Sequence, residues 1–258
     1  MIRLIGAHSL ARIEGLGQLA LFTTRALGAV HRGRGLGERL VRSIHSLGVR
    51  CLSVISIVGL FTGLVLGLQG FHVLGRFGSE SLLGTLVSLT LIRELAPVLA
   101  ALMIVGQAGS ALAAELGIQR NSEQIDALEI MGVDALAYLV TPRLLAAIVV
   151  FPILTMLFSV VGLVGGYVSS SAFLGLDGGV YWAAVNSSVQ GGDLFEAAIK
   201  ALVFGLTTVA ICAYQGYHAH SHAGEKGARA VSAATTRAVV QASVAVLAAD
   251  YAVTSFLV

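Results

Sequence analysis

Five long stretches of this 258-residue chain carry almost no charge: Cys51 to Gly75, Leu95 to Ala114 (preceded by the apolar Ser81 to Ile92), Leu144 to Leu176, Ala201 to Tyr217, and Ala238 to Val258, broken only by Asp250. A helix needs about 20 apolar residues to cross roughly 30 Å of hydrocarbon, and a backbone in lipid must satisfy its own hydrogen bonds. These stretches therefore predict membrane-spanning helices. Composition agrees: 56% of residues are hydrophobic, 12% are charged, and the mean hydropathy is +0.87, far above that of a water-soluble domain. The expected fold is an all-α integral membrane protein with about five transmembrane helices.

An odd number of spans places the two termini on opposite sides. The first fifty residues hold eight arginines (Arg3, Arg12, Arg25, Arg32, Arg34, Arg39, Arg42 and Arg50) against Glu14 and Glu38. The positive-inside rule puts that end in the cytoplasm and the C-terminus outside. The same topology places 120–143 and 216–237, with Lys226 and Arg229, in the cytoplasm. The segment 177–196, free of Arg and Lys, falls outside. Leu10 to Val30 is apolar but interrupted by Glu14 and Arg25, which predicts an interfacial helix rather than a span. Residues 1–46 thus read as a cytoplasmic or interfacial amphipathic region and 47–258 as the transmembrane domain.

Between the second and third spans lies a polar segment, Arg120 to Gly132. Indexed at about 100° per residue, Ile125, Leu128 and Met131 share one arc flanked by Ala127, while Glu123, Asp126 and Glu129 fill the other. Only Ile130 is out of place. Asn121 with Gln124 resembles a capping box, and Gly132 can end the helix. A helix over about 121–131 is roughly 17 Å long, too short and too charged to cross a membrane, so it is expected in water or against a partner.

Gly59, Gly63 and Gly67 recur every four residues in the first span, and Gly162 with Gly166 repeats the spacing in the third. Small residues at this interval let helix backbones approach closely. Arg93 and Glu94 interrupt the second apolar segment just before Pro97. They read equally well as the polar lining of a substrate path or as partners in inter-helix salt bridges. Asp250, eight residues from the C-terminus, is expected at the headgroup level. His218, His220 and His222 read as a solvated loop, and Cys51 and Cys212 as small hydrophobes. No metal site is expected. No GxxxxGK[ST] loop, GxSxG elbow or HExxH motif occurs, so neither an ATP site nor hydrolytic machinery is expected in this chain. The basic N-terminus abuts a span, so anionic headgroups explain it better than nucleic acid does.

The strings GLVLGLQGF (63–71), IRELAPVLAALMIVGQAGSALAAELG (92–117), SEQIDALEIMGVD (122–134), PRLLA (142–146) and ATTRAVVQASVAVLAADY (234–251) resemble, in order, the MlaE/YrbE permease family. These are the membrane subunits of MCE-type ABC transporters, which move lipids between bacterial membranes. The resemblance implies a homodimeric permease in the bacterial inner membrane. Its expected partners are phospholipid, a cytoplasmic ABC ATPase subunit that carries the ATP and Mg, a periplasmic MCE-domain protein, and a small cytoplasmic accessory subunit. It makes the acidic helix a coupling helix that presents Glu123, Ile125, Asp126, Leu128, Glu129 and Met131 to the ATPase. It also implies a lipid cavity lined by Leu66, Val73, Leu74, Phe77, Arg93 and Glu94. Two other classes compete: an ion-coupled secondary transporter using Arg93, Glu94 and Asp250, and a membrane scaffold anchoring a soluble complex. An ATPase that co-purifies excludes the first of these, and lipid in the cavity excludes the second.

Overall fold

Helices follow the apolar runs but outlast them. A computed structural model describes residues 2–32, 35–219 and 227–257, and these form helices and no strand. In chain order they are α1 (Ile2–Gly28), α2 (Leu36–Gly75), α3 (Glu80–Asn121), α4 (Gln124–Ile130), α5 (Leu136–Phe173), α6 (Gly178–Ser188), α7 (Gly191–Tyr217) and α8 (Ala228–Leu257). Five of them, α2, α3, α5, α7 and α8, are long and apolar enough to cross a membrane. At 40 and 42 residues, α2 and α3 reach about 60 Å, twice a bilayer core, so their charged ends project beyond it. The start of α2 shows this, with Arg42 paired to Glu38 at 2.9 Å on exposed surface. Residues 46 and 47 lie inside this continuous helix, so the N-terminal region and the first span share it.

The stretch from Ser81 to Ala114 is one helix, despite Pro97. Proline removes the N–H that would bond the carbonyl of Arg93 and normally kinks a helix. Here a widened π-turn over Leu91–Leu95 precedes it, and a second lies at Val105–Gly109. The Lys200 ammonium on α7 donates to the Arg93 carbonyl at 2.8 Å, replacing the missing amide.

The glycines pack, and their partner lies in the same chain. A Cβ on Gly63 would overlap the carbonyl oxygen of Gly162. One on Gly67 would come within 2.8 Å of the Gly166 oxygen, and one on Gly59 within 3.2 Å of the Phe158 oxygen. The first and third spans thus meet backbone to backbone, as small-residue stripes allow. Polar side chains add bonds between helices in the same bundle. The Gln107 amide donates to the Arg50 carbonyl at 2.9 Å, and the Gln215 amide donates to Gln241 Oε1 at 2.6 Å.

At the end of the bundle opposite α4, the expected loop contains the helix α6. Asp177 caps it by accepting from the Gly179 amide at 2.6 Å. Tyr181 is fully buried, donates to the Leu163 carbonyl at 3.1 Å and fills the space beside Gly166. Burial holds its phenol well above the ordinary range, so it remains a donor. At the α4 end, α1 lies across the ends of α5 and α7 and is not among the spanning helices. The Thr141 hydroxyl donates to the Ala26 carbonyl at 2.7 Å, and the Tyr214 hydroxyl donates to Gln18 at 2.9 Å. This is the helix whose broken apolar pattern reads as interfacial.

Candidate functional site

Two sets of residues stand out, one toward each end of the bundle. Toward the α6 end, Arg93 and Glu94 diverge to different partners, as adjacent helical residues must. Arg93 donates to Asp193 Oδ1 from Nε at 2.7 Å and Nη2 at 2.5 Å. The other Asp193 oxygen accepts from the Gln190 amide at 2.8 Å, so one carboxylate both caps α7 and holds Arg93. Glu94 accepts from Lys200 Nζ at 2.8 Å; Glu196 and Asp250 lie 3.5 and 3.9 Å from the same nitrogen. The Lys200 side chain is fully buried, whereas those of Arg93 and Glu94 are 47% and 42% exposed. Asp250, expected among headgroups, joins α8 to a six-residue ionic cluster.

Of the other cavity candidates, Leu66 and Val73 fall within about 20° of each other on α2, with Leu74 about 80° from Leu66, and Phe77 lies in the turn after the helix. Val73 and Phe77 are exposed, while Leu66 and Leu74 are half-buried. None of the four belongs to the ionic cluster, which lies on α3, α7 and α8. The apolar candidates thus lie on the first span and the turn after it, and the charged candidates on the second span.

At the other end, the expected helix over 121–131 is shorter, and its capping box does not form. α3 continues through Asn121, whose side-chain oxygen accepts from the Gly227 amide at 3.0 Å. Glu123 then turns the chain with a φ of 58°, and α4 starts at Gln124. Gly132, at φ 75°, ends the segment as expected. Among the coupling candidates, Ile125 is fully buried inside the chain and Leu128 half-buried. Asp126 pairs with Arg120 at 2.6 Å, and Glu129 accepts from the Tyr217 hydroxyl at 2.8 Å. Glu123 and Met131 face outward, and so does Ile130, the residue that broke the helical pattern, at 87% exposure. The outward apolar face is thus Ile130 and Met131, because the turn at Glu123 rotates Ile125 inward.

A junction of side chains ties α4 to two other helices. Tyr217 ends α7, lies under the Arg120 guanidinium at 5.5 Å, and packs its ring 5.6 Å from Phe22 of α1. Phe22 also meets Tyr214 edge-on at 5.5 Å and His218 at 5.8 Å. His218 thus sits in an aromatic cluster, while His220, His222 and Lys226 lie outside the described residues. Among the described residues, no group of His, Cys, Asp and Glu is arranged to hold a metal ion.

Sequence reasoning missed Asp193, Glu196 and Lys200 on α7. The signal was present: these residues fall at i, i+3 and i+7, one helical face, just before an apolar run. It also missed Tyr217 and Ile130, whose roles depend on the fold.

A family model described as Permease MlaE matches residues 40–256. The chain is 41% identical to the Intermembrane phospholipid transport system permease protein MlaE of Haemophilus influenzae, over 84% of this chain and 82% of that protein. It is 34% identical to a Probable ABC transporter permease protein of Rickettsia bellii, over 97% and 95%. It is 31% identical to the chloroplastic Protein TRIGALACTOSYLDIACYLGLYCEROL 1 of Arabidopsis thaliana, over 87% of this chain and 63% of that one.

Proposed function

Because this chain belongs to the MlaE permease family, we propose that it is the membrane permease subunit of an ABC transporter that moves phospholipid between the inner and outer bacterial membranes. The observation that carries this reading is the 41% identity, across most of both chains, to a protein named for intermembrane phospholipid transport. The relatives named as ABC transporter permeases favour ATP-driven transport over ion coupling or scaffolding. In this reading two copies pair in the inner membrane, with N-termini in the cytoplasm and C-termini in the periplasm. A separate ATPase holds ATP and Mg and docks at α4, and an MCE-domain protein receives or delivers lipid outside. A small accessory subunit completes the cytoplasmic face.

The residues suit the cargo. Val73 and Phe77 offer exposed apolar surface to acyl chains, and Leu66 and Leu74 add half-buried surface on α2. Arg93 commits two of its five N–H donors to Asp193, leaving the rest of a half-exposed guanidinium for a phosphate. A photoreactive amino acid at Phe77 should crosslink phospholipid in cells more strongly than one at Val244, an exposed position on α8. Equal labelling at the two positions would reject the cavity, and a purified complex with neither an ATPase nor phospholipid would reject the transporter.

A further inference from the structure

The ionic cluster holds four acids and two bases within helices that cross the membrane. Arg93 and Asp193 form a matched pair. That leaves Lys200 facing three carboxylates: Glu94 at 2.8 Å, Glu196 at 3.5 Å and Asp250 at 3.9 Å. Three like charges around one fully buried cation are unfavourable, and Glu196 and Asp250, at 16% and 23% side-chain exposure, are less open than Glu94. A carboxylate remains ionised in such a place by accepting hydrogen bonds, and the three acids differ in this respect. Glu94 accepts directly from Lys200 and is 42% exposed. Glu196 lies one turn before Lys200 on the same helix. Asp250 lies beyond hydrogen-bond reach, and its Oδ1 is buried with no donor. The groups facing it are Glu94 from α3 and Lys200 and Glu196 from α7. The remaining base of the cluster, Arg93, is already bonded to Asp193.

We propose that this cluster is a proton-binding site, completed by one proton held on Asp250 as a neutral carboxylic acid. The Asp250 O–H bond forms by uptake of a proton from water and breaks, returning it, when Asp250 is ionised. α8 is then held against α7 without a third negative charge beside Lys200. Because the docked form binds the proton, this contact is favoured at low pH and weakens as pH rises.

The test is infrared difference spectroscopy on the assembled transporter in lipid nanodiscs at neutral pH. A protonated-carboxyl C=O band should be present in the wild type, absent in Asp250→Asn and retained in Glu196→Gln. A wild-type complex without the band, or a band that survives Asp250→Asn, overturns the proposal. Asparagine matches the neutral acid in size and lacks charge, so Asp250→Asn should assemble at wild-type yield. Failure to assemble would mean that the ionised carboxylate is required, which also overturns it. The site belongs to the same permease as the phospholipid reading, but the measurement involves neither lipid binding nor transport, so each can fail alone.

Discussion

Lys200 places a positive charge about 14 Å beyond the start of α7, and the surrounding atoms explain how the bundle tolerates it. It neutralises Glu94 of α3 and takes the carbonyl that Pro97 leaves unbonded. Replacing it with methionine keeps the stem and removes the cation, leaving Glu94 and Glu196 with no counter-charge. The expected loss is about 3–5 kcal/mol, read as a lower melting temperature of the purified chain. Arg93→Gln should cost less, since Asp193 keeps its bond from the Gln190 amide. Glu94→Lys sets two cations face to face, so assembly should fail before transport does. A Glu94→Lys protein that assembles fully but does not transport would instead assign Glu94 to the cargo. The sequence showed Arg93 and Glu94 as anomalies because they interrupt an apolar run. It hid Lys200, which sits at the edge of one and looks like a boundary.

Among the elements, α2 and α5 form the closest contact, and a single side chain can open it. Gly63→Leu should lower stability by at least the 1–3 kcal/mol typical of overpacking, because the neighbour is backbone and cannot swing aside. Gly106→Ala is the matched control, since a Cβ there meets nothing within 4 Å. It should be neutral or slightly stabilising, as removing a helical glycine usually is. Thermal denaturation of both variants checks the pair. Spacing alone predicted close packing but could not say whether the partner was another copy or another span. At α4 the fold alters the test. Ile130→Asp with Met131→Asp touches only exposed residues, so it should abolish pull-down of the ATPase while leaving the fold intact. Ile125→Asp buries a charge and should unfold the segment. Normal pull-down by the double variant would remove α4 from the docking surface.

For the whole molecule, the class of fold was legible because lipid imposes one rule on every span, and hydropathy records it directly. Four features were not: the α6 helix, the buried side of α4, the partner of the glycine stripe and the grouping of charges across α3, α7 and α8. Each depends on contacts far apart in sequence. Orientation can be read by cysteine labelling, with little background because native Cys51 and Cys212 are buried. A cysteine at Gly132 should react only from the cytoplasmic side, and one at Gly175 only from the periplasm. The opposite pattern would invert the topology. The junction at Tyr217 has a mechanical consequence. α7 is an unbroken helix, so Tyr217 and Lys200 are the two ends of a push-rod about 26 Å long. Glu129 grips one end through the tyrosine hydroxyl, and Phe22 lets α1 brace it sideways. A tug on α4 therefore arrives at the far end as leverage on Lys200, the nitrogen that joins α7 to Glu94 and the Arg93 carbonyl of α3.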